Sequence, residues 1–167
     1  AIQINQLKKI KKVFNNSFID AVDLVLNCKG KVIFAGIGKS GLIARKISAT
    51  FSSIGIPSFF CDPAQALHGD MGQIEKKDVL IIFSYSGNTS ELNNMLKYAN
   101  RYRIKIIGVA SKPDSILLKA SDIKLILPKV KESDVTGMVP TSSTTITLLL
   151  GDCLATTVMN LKKFSKE

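Results

Sequence analysis

The sequence predicts an α/β fold: a doubly wound parallel sheet of five strands flanked by helices. Five short apolar runs, at residues 31–35, 57–60, 79–83, 104–109 and 123–127, alternate with stretches of helical spacing, which is the pattern of βαβ units. Two of the runs open through a small-residue turn directly into a helix, Gly36 to Gly41 after the first and Ser84 to Ser90 after the third. At 167 residues the chain is long enough to bury a full core, and one domain over residues 1–167 is expected.

Residues 3–27 place Ile4, Leu7, Ile10, Phe14, Phe18, Ile19, Val22, Val25 and Leu26 at helical spacing, and Lys29-Gly30 stops that helix. Lys31 to Ala35 is the first strand, and Leu42 to Ile54 a second helix ended by Gly55. After the strand Pro57 to Phe60, Asp62-Pro63 offers an N-cap and a first-turn proline for a brief helix toward His68. Val79 to Phe83 is the central strand. The helix after it carries Leu92, Met95, Leu96 and Ala99, with Asn88 as a candidate N-cap and Glu91 closing a capping box. The strand Ile104 to Val109, a short helix Pro113 to Ala120 and the strand Ile123 to Leu127 follow. Pro128 to Val139 is a loop of mixed charge, and Pro140 to Lys163 a long apolar helix.

In such a sheet a ligand lies at the carboxyl ends of the strands, near the point where strand order reverses. Four loops fall on that edge: Gly36 to Gly41, Cys61 to Asp70, Ser84 to Ser90 and Lys129 to Val139. Backbone N–H groups at a helix start lack intrahelical partners and carry partial positive charge, so the hydroxyls of Ser84, Ser86, Thr89 and Ser90 around one suit an oxyanion such as phosphate. The capping box explains Asn88 and Glu91, and the two readings are compatible.

A net charge of +10 raises the question of nucleic acid. The lysines are scattered, aromatic residues are not interleaved with them, and no helix-turn-helix or RNA-binding signature appears. Most of the charge is read as solvated surface whose field attracts a small phosphorylated molecule. There is no run of 18 apolar residues to span a membrane, and the first ten residues hold no signal-peptide core. Cys28, Cys61 and Cys153 are odd in number and lack CxxC spacing, which points away from disulfides and zinc and toward a reducing cytoplasm. The sequons at Asn15 and Asn88 are then accidental. A start at Ala1 and a last helix running to Lys166-Glu167 without a stop read as a fragment trimmed at both ends.

Gly36-Ile37-Gly38-Lys39-Ser40-Gly41 matches the dinucleotide fingerprint between strand and helix, and Asp62 follows the second strand where a ribose partner would lie. Against an NAD-type oxidoreductase, Lys39 adds a cation to a turn that ordinarily uses backbone alone, Asp62-Pro63 reads as a cap, and the hydroxyl turn at Ser84 has no role. The GKS triplet is not a Walker loop, because Ile33 stands where its first glycine is required. His68, the one histidine, is either a capping or core residue or a group titrating near neutrality on the ligand edge; alone it is poor evidence for a metal. Glu132 is either a solvated charge or a general base, the latter requiring burial to raise its pKa.

Together, GIGKSG, ALHGDMG, SYSGNTSE and KESDVTGMVPTSSTT closely resemble the sugar isomerase (SIS) domain of the D-arabinose 5-phosphate isomerase family, from about Gly30 to Leu161. Each motif alone is weak, and the four in order are specific. The resemblance implies a flavodoxin-like five-stranded sheet and the interconversion of D-ribulose 5-phosphate and D-arabinose 5-phosphate for Kdo and lipopolysaccharide synthesis, without a cofactor. It places the phosphate on Ser84, Ser86 and Thr89, with Ser40 added from the first loop and Gly38, Gly87, Asn88 and Glu91 around them. It assigns Lys39, His68 and Glu132 to the active site. Isomerisation through an enediol needs one base reaching two carbons, and Glu132 fits it. Lys39 would stabilise the oxyanion, and His68 would shuttle a hydroxyl proton or help open the sugar ring.

Two departures stand out. Asn88 replaces a carboxylate common after SxSG, and the family continues past the last helix with another active-site histidine and often a pair of CBS domains. The chain is therefore expected to bind substrate while turning over poorly. The apolar helices at both ends imply a homo-oligomer, dimer or tetramer. The alternative from another class is a sugar-phosphate-sensing module of the same fold without turnover.

Overall fold

A computed structural model describes residues 1–163 of the chain. Its centre is a five-stranded parallel sheet, in which β1 (Val32–Gly36), β2 (Ser58–Cys61), β3 (Val79–Phe83), β4 (Lys105–Ala110) and β5 (Ile123–Ile126) lie in the order β2-β1-β3-β4-β5. Strand order reverses between β1 and β3, whose register pairs Val32 with Val79 and Gly36 with Phe83. Their loops diverge there and leave the crevice in which α/β sheets hold ligands.

Alternation along the strands builds two cores. Val32, Phe34, Ile81, Phe83 and Val109 face one side, under α2 (Asn16–Leu26), α3 (Gly38–Ser53) and α6 (Ser142–Leu161). Ile33, Ala35, Leu80, Ile82 and Ile106 face the other, under α4 (Asn93–Arg101) and α5 (Ile116–Ala120). Phe34 stacks on Phe83 with centroids 6.2 Å apart and meets Phe51 of α3 at 4.9 Å. α6 is apolar and long enough to pass for a bilayer span, unlike anything expected from the sequence. Here it is a core helix: Ile146, Leu150, Leu154 and Val158 are buried, and Gly151 lets it press against Ile47 of α3.

Strand boundaries fall within a residue of expectation, and several helices differ. The helix expected over residues 3–27 is divided into α1 (Ile2–Leu7), a 3₁₀ segment (Lys8–Val13) and α2, because Phe14 leaves helical space and Asn15 accepts a capping hydrogen bond from Ser17 N–H at 3.0 Å. α5 begins at Ile116, where Ser115 caps it through Leu118 N–H, rather than at Pro113. α3 begins at Gly38 rather than Leu42.

Candidate functional site

The early start of α3 puts Lys39 and Ser40 in its first turn. Gly38 has φ of +59°, a left-handed conformation that side chains resist, and this turns the chain from β1 into the helix. Lys39 is exposed there and Ser40 partly buried.

The loop after β3 is organised by its own hydroxyls. Ser84, buried at 4 % exposure, accepts from Gly87 N–H at 3.1 Å and pairs with the Thr89 hydroxyl at 2.9 Å, while Ser86 accepts from Asn88 N–H at 3.3 Å. Gly87 has φ of +71° and packs directly on Ser115. The capping box does not form. Asn88 instead accepts from Ile116 N–H at 3.0 Å, tying the loop to α5, and α4 starts only at Asn93 after a 3₁₀ turn. Glu91 is exposed and bonded locally. Its own backbone N–H, then the Ser90 hydroxyl at 2.9 Å, hold its carboxyl below the ordinary value.

Glu132 also departs from expectation. Partial burial works to raise its pKa, but the hydrogen bonds of Ser143 and Thr141 outweigh it and hold the carboxyl below its ordinary value. One oxygen, Oε2, accepts from Thr141 N–H at 2.8 Å, Thr141 Oγ1 at 3.0 Å and Ser143 N–H at 3.2 Å. These backbone donors open α6 and have no helical partner, so a carboxylate at the helix's positive end completes them. Glu132 is thus ionised near neutrality rather than poised as burial alone would have left it.

The loop bearing Glu132 is braced from two sides. Tyr85 Oη donates to the Pro128 carbonyl at 3.2 Å and accepts from Val130 N–H at 2.9 Å. From the N-terminal segment, Gln6 accepts from Lys131 N–H at 3.1 Å, and Gln3 donates to Thr145 Oγ1, in the first turn of the α6 helix that follows the loop, at 2.6 Å.

These elements enclose a cavity of about 360 Å³ whose lining includes Lys39, Ser40, Tyr85, Ser86, Glu132 and Thr144. Four residues singled out in the sequence therefore meet: Lys39, Ser40, Ser86 and Glu132. Ser84 and Thr89 are bonded to each other in the loop that presents Ser86. Asn88 and Glu91 lie outside that lining, as does Gly38. So does His68, exposed on a 3₁₀ turn (Ala66–His68) after β2. Sequence reasoning missed Tyr85, Ser143, Thr144 and Thr147 of the lining. A tyrosine between two serines and the hydroxyl run after Pro140 were the available signals. Among the described residues no three His, Cys, Asp or Glu side chains gather to hold a metal.

Residues 25–157 match the description of the SIS domain. The chain belongs to the SIS domain family. Over 167 residues it is 40% identical to arabinose 5-phosphate isomerase KdsD of Escherichia coli (strain K12), covering 100% of this chain and 51% of that protein. Arabinose 5-phosphate isomerase GutQ of the same strain is 39% identical over 166 residues, or 99% of this chain and 52% of that one. This SIS chain thus spans about half the length of these curated relatives. A protein of Escherichia coli CFT073 solved in complex with arabinose 5-phosphate superposes with a TM-score of 0.91 at 37% identity, covering 99% of this chain and 89% of that one.

Proposed function

We propose that this SIS domain interconverts D-ribulose 5-phosphate and D-arabinose 5-phosphate in the cytoplasm, supplying Kdo for lipopolysaccharide, without a cofactor. The observation that carries the reading is the single cavity in which Lys39 and Glu132 face the hydroxyl turn at Ser86. Identity near 40% to proteins named as arabinose 5-phosphate isomerases supports it. The phosphate exchanges the Ser84–Thr89 hydroxyl pair for its own oxygens, with Ser40 and Ser86 completing the cradle. Glu132, ionised, takes the proton from C1 of the ketose or C2 of the aldose and returns it to the adjacent carbon of the enediol. The Lys39 ammonium stabilises the negative charge that develops on oxygen.

His68 would move a hydroxyl proton from a neighbouring copy in a homo-oligomer, dimer or tetramer. The exposed Ile2, Ile4, Ile19 and Leu161 offer an apolar surface for that association. A second reading, sugar-phosphate sensing without turnover, is favoured by one observation: the carboxylate expected as base is already engaged by Thr141 and Ser143.

The test follows the two pentose 5-phosphates by NMR, alongside the thermal midpoint with each pentose phosphate and with NAD. Slow but measurable conversion by the wild-type chain is expected, with Glu132→Gln slowing it further by about a hundred- to ten-thousand-fold. Near-normal turnover in Glu132→Gln refutes the base. A midpoint raised by pentose phosphates without conversion selects the sensing reading, and one raised by NAD alone returns the protein to the oxidoreductases.

A further inference from the structure

A second cavity, of about 300 Å³, adjoins the first and shares Tyr85 and Ser86 with it; its other walls are Ser111, Lys112, Lys129 and Val130. No carboxylate lines it, and neither lysine is in an ion pair among the described residues. The walls are joined to one another. Ser111 donates to the Tyr85 carbonyl through N–H at 2.8 Å and through Oγ at 2.7 Å. The Tyr85 hydroxyl in turn holds Pro128 and Val130, at 3.2 Å and 2.9 Å. Lys112 follows Ser111 directly, and Lys129 lies between Pro128 and Val130. The backbones of both lysines are therefore held in place around one tyrosine, and the cavity exists before any ligand arrives.

We propose that this cavity is a second anion subsite, which receives the distal acidic group of a doubly acidic sugar phosphate such as a pentose bisphosphate. Two unpaired ammonium groups lining one cavity together attract an anion more strongly than either does alone, although solvent partly screens them because both are exposed. Ser86 belongs to both cavities, so a ligand with one phosphate on the hydroxyl turn extends past Tyr85 and places the other between Lys112 and Lys129. A bisphosphate held this way competes with pentose monophosphates for the turn. The subsite rests on the reading of that turn as a phosphate site.

The experiment titrates the whole chain with D-ribulose 1,5-bisphosphate and with D-arabinose 5-phosphate by calorimetry, in wild type and in a Lys112→Ala, Lys129→Ala double variant. Both lysines are exposed, so the fold survives their loss. The wild type is expected to bind the bisphosphate about tenfold tighter than the variant does, the size that two partly screened charge pairs supply, with the advantage shrinking as salt is raised. Affinity for the monophosphate is expected to be the same in both proteins. Equal bisphosphate affinity in the two proteins, or an equal loss for both ligands, overturns the subsite. The subsite is thus judged by the bisphosphate across two proteins, and the isomerase reading by the monophosphate and its conversion in the wild type, so each fails separately.

Discussion

Replacing Glu132 with glutamine tests whether this carboxylate caps α6. The amide keeps an acceptor oxygen of the same shape but loses the charge that two backbone N–H groups, of Thr141 and Ser143, and the Thr141 hydroxyl now share at 2.8–3.2 Å. Losing a cap costs about 0.5–2 kcal/mol and losing a charge at a helix end about 0.3–1, discounted here because Glu132 is only partly buried. A net cost of about 1–2 kcal/mol lowers the thermal midpoint of a chain this size by about 2–8 °C near neutrality. The pH dependence identifies the mechanism. The carboxyl is harder to protonate in the folded chain than at its ordinary value of 4.5, so its stabilisation is complete above that value and is lost as pH falls through the lower folded value. Scanning calorimetry of both proteins at neutral pH and at about pH 3 should show the gap closing on acidification. Equal midpoints near neutrality, or a gap that acid leaves unchanged, would refute the capping argument.

Two other predictions concern Gly87, in the loop after β3, and Cys61, the last residue of β2. Gly87→Ala puts a methyl group against Ser115 at a left-handed φ, and should cost about 2–4 kcal/mol in urea denaturation while weakening pentose phosphate binding; an unchanged urea midpoint would contradict the packing described. Burial first, then the charges of Asp70 and Asp62, push the Cys61 thiol up to about 11. Iodoacetamide at pH 8 should therefore spare Cys61 in the folded chain and modify it in urea, as read by mass spectrometry, and rapid labelling of the folded protein would disprove its protection.

The sheet was legible because buried parallel strands are apolar on both faces, so Val79 to Phe83 and its neighbours announce themselves without knowledge of their partners. The cavity-lining positions of local turns, Ser40 and Ser86, were legible for the same reason: both lie within a few residues of a strand end. The rest depended on contacts far along the chain. Asn88 follows the local rule for a cap, yet its acceptor is spent on Ile116, 28 residues on. Glu132 is defined by Thr141 and Ser143, nine and eleven residues away, and no local pattern distinguishes that from a free surface charge. Asn15 was the opposite case. Its capping signal was present in Asn-Asn-Ser and was overlooked because the apolar spacing continues across the break.

The braces on the Glu132 loop set an order of events during biosynthesis. Gln6 and Lys131 are 125 residues apart, and Gln3 and Thr145 are 142 apart. At about 5–20 residues per second, a ribosome that has delivered Gln6 takes roughly 6–25 s to deliver Lys131. For that interval β1, α3 and β3 can already pair, while Gln3 and Gln6, made first, have none of the partners they will steady. The cavity is consequently among the last parts of the molecule to acquire its shape, after the sheet that carries its other walls is in place.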